Sequence, residues 1–390
     1  MAVNRPALRR SDNLGLVMRA LGSGKASTRS ELANLLGLDR STMTHLVGKL
    51  LETGLVEQSE SADAAPAEST HRPAPRAGRR PLRLLLRHDR LLVGGIELTA
   101  TAYRAVVMDN AGSLLLRDSG PNPHPHDPAR AIAAVSDRLS SLARGAGVRP
   151  FAVGVGLSGI VDPHRARLVS SDAFDAHDVD LARHLPANGT GAPALVFDND
   201  ANCGAWGELH AGGHADRDFI FVLGRDSNAF VGVGLGLALD GAIYYGRRYQ
   251  AGEFAGVERV RAADSQFSLT QHQLLRARVN RAIMRRVVTE LLQALVPLMA
   301  ALDPSRVVLG GMLRTQVAAV RRLLQTDLAC SPAAGACLAI PFAASHWDED
   351  EVAAGAAGMV LEKLFSGPRP ERRGGRDTVT WEQLFDTITR

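Results

Sequence analysis

The sequence predicts an α/β protein in which an N-terminal winged helix-turn-helix unit precedes a larger, duplicated α/β domain. Three observations predict it. Residues 12–58 contain three short amphipathic patterns, strand hairpins alternate with helices twice after residue 91, and positive charge is concentrated near the N-terminus. The length of 390 residues suits two or three folded units, and an apolar fraction of 45% excludes a disordered chain.

Residues 12–36 predict two helices. The first has apolar side chains at positions i, i+3, i+4 and i+7, which are Leu14, Val17, Met18 and Leu21. The second begins at Thr28, because Thr28 and Glu31 have the spacing of a capping box, and it ends at Gly37.

A third helix follows directly, with Asp39 as its N-cap. Its inner face consists of Met43, Leu46, Val47 and Leu50. Two helices joined by a short turn that contains glycine, the second with a polar outer face, are typical of a helix-turn-helix, although other three-helix bundles also have polar faces. Hydroxyl, arginine and histidine side chains, with no acid beyond Asp39, favour double-stranded DNA as the partner. The predicted DNA-contacting residues of this helix are Arg40, Ser41, Thr42, Thr44, His45 and Lys49.

Residues 59–81 have no apolar period and are rich in alanine, serine, glutamate and proline, so we interpret them as a flexible wing or linker. Residues 82–87 predict a return strand that pairs with residues 55–57 and completes a winged helix. Arg79 and Arg80 precede that strand. They fit the narrow minor groove of DNA, and they equally fit a basic interdomain hinge.

The texture after residue 91 predicts strand hairpins and helices in alternation, with a cleft between two halves. The predicted strands are 91–97, 103–108, 151–157, 195–197, 219–223, 230–239 and 306–309, and the helices are 129–146, 271–302 and 352–365. The domain boundaries that follow are 1–58 for the DNA-binding unit, 59–81 for the linker, 88–366 for the body and 367–390 for a tail.

Charge divides the chain in the same way. Residues 1–90 carry a net charge of +6 and the remainder −2, which indicates a basic module that meets a polyanion. No window reaches about 18 consecutive apolar residues, and the N-terminus lacks the apolar stretch of a signal peptide. We therefore expect a cytoplasmic protein without a membrane partner.

Several short motifs together resemble the ROK family, which comprises repressors, open reading frames and sugar kinases. Residues 30–56 resemble its N-terminal winged helix, and the other motifs stand in the family's order between residues 12 and 365. Those motifs are 154–163, 199–202, 240–241, 251–253, 302–304, 308–311 and 353–356. The resemblance implies an actin-like, hexokinase-like ATPase fold, in which a sugar lies in the cleft and glycine-rich hairpins surround the phosphates of ATP.

Two hairpins depart from the pattern of the family's kinases. The first carries an aspartate and two consecutive glycines in the kinases, where this sequence has Glu97, Thr99 and Ala100. The second reads Gly-Thr-Gly in the kinases and begins with Phe230 here. Phosphate loops need bare backbone N–H groups, and a Cβ atom obstructs them. We therefore expect no nucleotide cofactor and no kinase activity.

The family's structural zinc site is also incomplete. Gly256 stands where the family has a histidine, and no cysteine lies between Cys203 and Cys330. Zinc takes about four nitrogen or sulfur ligands at short spacing. We therefore expect no bound metal.

The sugar pocket implied by the resemblance is partly retained. The matching residues are Ser158, Gly159, Asn199, Asp200 and Glu253, with Asp200 at the position of the kinases' catalytic base. A carboxylate beside an amide suits vicinal hydroxyl groups, which both donate and accept hydrogen bonds. Asp200 could instead cap the helix that begins after it, and the effector could be another small molecule or absent.

The resulting hypothesis is a ROK-type regulator, most simply a repressor, that binds an operator as a homodimer or higher homo-oligomer. A degenerate kinase-like domain would dimerise and sense a sugar or sugar derivative. One rival is a sugar kinase with a DNA-binding arm, which needs the phosphate loops that this chain lacks. Another is a DNA-binding protein without an effector.

Overall fold

Three helices and a two-stranded ladder form the N-terminal module. The computed structural model describes residues 10–59, 82–185, 192–211, 217–226, 231–256, 265–326, 335, 337–366 and 379–389. The module's elements are α1 (Arg10–Gly22), α2 (Arg29–Leu36), α3 (Arg40–Glu52), β1 (Val56–Ser59) and β2 (Arg83–Leu86). Strands β1 and β2 pair antiparallel, with Val56 opposite Leu86, so the helix-turn-helix carries the base of a wing. The connection between them, with Arg79 and Arg80, lies outside the described residues.

The remaining elements form the body and a C-terminal helix. The strands are β3 (Leu92–Leu98), β4 (Ala102–Asp109), β5 (Leu114–Pro121), β6 (Ala152–Leu157), β7 (Ile160–Asp162), β8 (Arg167–Ser171), β9 (Ala176–Asp180), β10 (Ala194–Asn199), β11 (Phe219–Asp226), β12 (Val231–Leu239), β13 (Ala242–Ile243), β14 (Arg306–Gly311) and β15 (Phe342–Ala344). The helices are α4 (Pro128–Gly145), α5 (Asp200–Ala211), α6 (Gln271–Leu274), α7 (Arg281–Leu302), α8 (Val317–Thr326), α9 (Glu351–Phe365) and α10 (Trp381–Thr389).

Two five-stranded sheets repeat one topology, which confirms the predicted duplication. The first lobe has the order β10-β6-β3-β4-β5, and the second has β15-β14-β11-β12-β13. In each lobe the first strand of the chain pairs antiparallel with the second and parallel with the fourth. Helices α4 and α7 occupy equivalent places before the fourth strand.

The single helix predicted over residues 271–302 is wrong, because the chain forms two helices there. Thr270 begins α6 with a capping box to Gln273. The side chain of Asn280 then accepts hydrogen bonds from the N–H groups of Ala282 and Ile283 and starts α7. An asparagine that caps one helix cannot lie inside a continuous one, since its backbone adopts a non-helical conformation.

Helix α9 packs against its neighbours through backbone atoms. A Cβ atom on Gly355 would lie 1.9 Å from the carbonyl oxygen of Cys203 in α5. A Cβ atom on Gly95 of β3 would lie 1.9 Å from the carbonyl oxygen of Ala353 in α9. Glycine is required where backbones approach this closely, so these positions fix α9 between the first sheet and α5.

The C-terminal helix α10 returns to the N-terminal module. Its residues Trp381, Leu384 and Phe385 are buried in the same apolar core as α1 and α3. No helix in the described part of the chain is long and apolar enough to cross a membrane.

Replacing Gly355 with alanine should lower the free energy of unfolding by about 1–3 kcal/mol, because the new methyl group would overlap the Cys203 carbonyl. The matched control is Gly145→Ala at the end of α4, where nothing lies within 4 Å of the new methyl group. The control should be neutral or stabilising by up to about 1 kcal/mol. Urea denaturation followed by circular dichroism measures both, and equal midpoints for the two variants would contradict the close packing.

Candidate functional site

The outer face of α3 is partly organised by its own N-cap. The carboxylate of Asp39 accepts hydrogen bonds from the N–H groups of Ser41 and Thr42 at 2.9 and 2.8 Å. It also accepts the hydroxyl groups of the same two residues at 2.8 and 2.6 Å. These bonds hold the pKa of Asp39 well below its usual range. The Thr44 hydroxyl donates to the Arg40 carbonyl oxygen at 2.8 Å. The hydroxyl protons of Ser41, Thr42 and Thr44 are thus all used within the helix. Toward a binding partner these hydroxyl groups would act chiefly as hydrogen-bond acceptors.

Arg40 and His45 project from this helix with exposed side chains, while Met43, Leu46, Val47 and Leu50 are buried beneath it. Lys49 differs from the prediction. Its Nζ lies 4.1 Å from the centroid of the Phe385 ring in α10, which is the geometry of a cation–π contact. Lys49 is half-buried, and its ammonium group joins α3 to the C-terminal helix.

The N-terminal module is attached to the body through α9. Nη2 of Arg19 in α1 lies 2.7 Å from Oε2 of Glu362, whose side chain is 2% exposed. The indole Nε1 of Trp381 donates to the carbonyl oxygen of Leu364 at 3.0 Å. A Cβ atom on Gly15 would lie 2.7 Å from that same oxygen, so α1 crosses α9 in direct contact. The placement of the N-terminal module, which includes α3, therefore depends on the end of α9.

The residues predicted to form a sugar pocket lie close together where the two lobes meet. Nδ2 of Asn199 donates to the Gly159 carbonyl oxygen at 2.8 Å. Gly234 of β12 pairs with Glu253, and a Cβ atom on Gly234 would lie 3.9 Å from Oδ1 of Asp200. The structure thus places candidates of the first lobe close to a candidate of the second.

The end of β10 and the start of α5 place these polar groups. Oδ1 of Asn199 accepts from the N–H groups of Ala201 and Asn202 at 2.9 and 3.3 Å, so Asn199 acts as a cap for α5. Asp200 also accepts from the Ala201 N–H group, at 2.6 Å. Asn199 and Asp200 therefore cap the helix together. Both the oxygen and the nitrogen of the Asn199 side-chain amide already have hydrogen-bond partners within the protein.

Glu253 and Ser158, the remaining two candidates, differ in their exposure. Glu253 is exposed, and Ser158 is buried. Desolvation, together with the negative charges of Asp200 and Asp172, raises the pKa of the Glu253 carboxyl group. Asp172 was not among the sequence-predicted residues, and no short motif distinguishes it from a turn aspartate. A ligand here would meet several carboxylates, which accept hydrogen bonds from hydroxyl groups.

Asp198, which precedes Asn199 in β10, is buried next to these polar groups. Its side chain is fully buried and accepts hydrogen bonds from Tyr245 Oη at 2.6 Å, Trp206 Nε1 at 3.1 Å and Asn202 Nδ2 at 2.9 Å. These three side-chain donors satisfy the hydrogen-bonding capacity of a carboxylate that water does not reach. It fixes the strand end from which Asn199 and Asp200 project.

Arg225 is the cleft residue that sequence reasoning missed. It lies near the end of β11 in the second lobe, and its Nη1 is 3.4 Å from Oε1 of Glu97 in the first lobe. Its Nε forms a second ion pair with Oδ2 of Asp200. A single arginine next to an aspartate carries no recognisable motif, so only the fold reveals these partners.

The first hairpin turn is closed by its own atoms. The Thr99 hydroxyl donates to the Ala102 carbonyl oxygen at 2.9 Å, and the Ala102 N–H group donates to the Thr99 hydroxyl oxygen at 3.0 Å. Nδ2 of Asn122 donates to the Thr99 carbonyl oxygen at 2.8 Å. Phe230 of the second hairpin lies outside the described residues, as do residues 257–264. Among the residues that are described, no group of three histidine, cysteine or acidic side chains is arranged to hold a metal ion.

Comparison with known proteins finds a similarity to one family profile in each of two parts of the chain. The ROK family profile matches residues 93–262, and the profile of the IclR helix-turn-helix domain matches residues 12–60. The xylose repressor of Caldicellulosiruptor bescii is 22% identical over 61% of this chain and 56% of its own length. A glucokinase of Streptomyces coelicolor is 29% identical over 41% of this chain and 45% of its own. The chain spans about half the length of the curated relatives it matches.

One solved structure covers nearly the whole molecule. It is described as a ROK family transcriptional regulator homologous to the E. coli MLC protein, and it superposes with a TM-score of 0.70. The match covers 97% of this chain and 99% of that one at 14% identity. At this identity the likeness establishes the fold, which includes the N-terminal module and the two-lobed body.

Replacing Trp381 with alanine should release α10 and loosen the N-terminal module. The variant loses a buried indole and its hydrogen bond to Leu364, a change that costs about 3–5 kcal/mol. Hydrogen exchange should then be faster in α1 and α3. Asp386→Ala, on the exposed face of the same helix, is the control and should leave exchange unchanged. Equal protection of α1 and α3 in both variants would show that α10 does not hold the module.

Proposed function

We propose that this chain, which joins an IclR-type helix-turn-helix domain to a ROK-family domain, is a DNA-binding transcriptional repressor. The observation that carries the proposal is the two-faced helix α3. Its apolar face is fully buried in the module, whereas its polar face, with Arg40 and His45, is exposed. A helix held in this way can enter the major groove and contact base edges. A repressor of this kind would act in the cytoplasm.

The DNA partner is a double-stranded operator read by two copies of the chain. Arg40 offers a bidentate donor to guanine, and His45 together with the hydroxyl groups of Ser41 and Thr44 supplies further contacts. Arg79 and Arg80 are proposed to follow the wing into the adjacent minor groove. A homodimer would place two recognition helices at half-sites about one helical turn, or a multiple of it, apart.

The effector is proposed to be a sugar or sugar derivative bound between the lobes. Asp200 and Glu253 supply hydrogen-bond acceptors from the two sides, with Ser158, Gly159 and Asn199 beside them. Helix α5 starts at Asp200 and ends next to Glu362, where His210 Nδ1 lies 3.6 Å from the Glu362 carboxylate. Glu362 also holds Arg19 of the N-terminal module. A ligand that moves α5 therefore acts on the attachment of the DNA-binding module.

A sugar kinase with a DNA-binding arm is the rival, and the glucokinase relative supports considering it. The turn at Thr99 argues against it. Its Thr99 hydroxyl and Ala102 N–H groups already bond within the turn, and Ala100 carries a Cβ atom where the kinases have glycine. We therefore propose that the chain phosphorylates no sugar. A coupled assay with ATP, magnesium and hexoses should give no product above the protein-free control, and clear turnover would refute this part of the proposal.

Operator binding should depend on the outer face of α3. An operator can be selected from a random duplex library with the full chain and its affinity measured by fluorescence anisotropy. Arg40→Ala should weaken binding about 5- to 150-fold, equivalent to roughly 1–3 kcal/mol, because one set of base contacts is lost. Arg130→Ala, an exposed arginine on α4, is the matched control and should bind normally. Unchanged affinity and sequence preference in Arg40→Ala would refute the assignment of α3.

Effector response should depend on Asp200. Asp200→Asn keeps the size of the side chain but removes its charge, so hydroxyl groups of a sugar lose a charged acceptor. Calorimetry with a panel of sugars should detect binding to the wild-type chain and a loss of at least about tenfold in the variant. Effector-free operator affinity should stay nearly unchanged, because Asp200 lies in the cleft. A variant that still answered the same sugar at the same concentration would exclude the cleft as the sensor.

A further inference from the structure

The guanidinium group of Arg225 lies between carboxylates of the first lobe. One nitrogen forms an ion pair with Asp200, and another lies 3.4 Å from Glu97. The side chain of Arg225 is 17% exposed, that of Glu97 14% and that of Asp200 6%. Most of this charge is therefore withdrawn from water and depends on its partners.

Other charges around the group leave the cluster acidic. Arg104 approaches Glu97 at 3.9 Å, but its side chain is 41% exposed and also pairs with Glu349 at 3.1 Å. Glu351, at the start of α9, is close enough to act on both Glu97 and Arg225. Burial raises the pKa of Glu351 to about 7 and also raises the pKa of Glu97. Arg225 is thus the buried cation that these acidic groups share.

We propose that Arg225 is a built-in counter-ion that determines which class of ligand the cleft accepts. It stands between Glu97 and Asp200, the position that a divalent cation would need in order to use both carboxylates. A nucleotide with its metal ion does not fit these residues, because its cation would meet a guanidinium group and its phosphates would meet an excess of carboxylates. A neutral polyhydroxylated molecule can share Asp200 with Arg225, since hydroxyl groups both donate and accept hydrogen bonds.

The statement about the ligand rests on the proposed function, whereas the position of the counter-ion can be tested without DNA or sugar. If Arg225 occupies the place of a cation, its removal should create a cation site from Glu97 and Asp200. Manganese is a suitable probe, because it prefers oxygen ligands and free Mn²⁺ can be counted by electron paramagnetic resonance. The absence of Mn²⁺ binding would not argue against operator binding, and a failure to bind an operator would not change the interpretation of the Mn²⁺ titration.

The full chain should be titrated with Mn²⁺ as wild type, Arg225→Ala and the double variant Arg225→Ala/Glu97→Gln. We expect Arg225→Ala to bind one more equivalent of Mn²⁺ than wild type and to gain in melting temperature when Mn²⁺ is added. The double variant should lose both effects, because it retains only one of the two carboxylates. Arg278→Ala is the control. This variant removes the ion-pair partner of Asp226, which follows Arg225 in β11. Arg278 is 66% exposed, and we expect its removal to add no Mn²⁺ site.

Three results would overturn the proposal: no additional Mn²⁺ bound by Arg225→Ala, equal gain in the double variant, or equal gain in Arg278→Ala. Should Arg225→Ala be unfolded without metal, recovery of its native circular dichroism spectrum on addition of Mn²⁺ supports the proposal. Absence of recovery in that variant, together with a folded double variant, overturns it.

Discussion

Backbone contact around helix α9 is the constraint on which the rest of the structure depends. Gly95 and Gly154 allow two strands of the first sheet to touch the carbonyl oxygens of α9, and Gly355 allows α9 to touch α5. Contacts of this kind leave no space for sliding without the loss of close packing. The sheet, α5 and α9 therefore behave as one unit, and the sites at the two ends of α9 are joined by it.

The two ends of α9 contact different parts of the molecule. Glu351 at its start accepts a hydrogen bond from the Gly311 N–H group of the second lobe and lies near Arg225. Glu362 and Leu364 at its end contact Arg19 of the N-terminal module and Trp381 of α10. A helix of 15 residues is about 22 Å long, so this single element connects the cleft to the N-terminal module. A ligand that prefers one arrangement of the lobes would bias the module through this connection, to the extent of its differential affinity for the two arrangements.

The charged groups in the cleft are costly to bury. Carboxylates useful for binding hydroxyl groups are expensive to bury together, and Arg225 offsets that cost by pairing with two of them. The same pairing reduces what the cleft can bind, because the oxygens of Asp200 are already engaged with Arg225 and the Ala201 N–H group. The contacts that stabilise these buried carboxylates therefore also occupy both oxygens of Asp200.

The sequence by itself determined the parts of this protein that depend on neighbouring residues. Thr28 with Glu31 and Asp39 with Thr42 mark helix starts within a few positions, and the alternating hairpins predict the duplicated fold. Even the break between α6 and α7 has local signals in Thr270 and Asn280, which the apolar pattern alone obscured.

Only the tertiary structure decided which distant side chains meet. Arg225 pairs with Glu97, which lies 128 positions away in the sequence, and Arg19 pairs with Glu362, which lies 343 positions away. The Lys49 ammonium group contacts the Phe385 ring of the C-terminal helix. Periodicity and capping describe the backbone over a few residues. An ion pair or a cation–π contact between distant segments depends on how whole elements pack, and no local pattern records that choice.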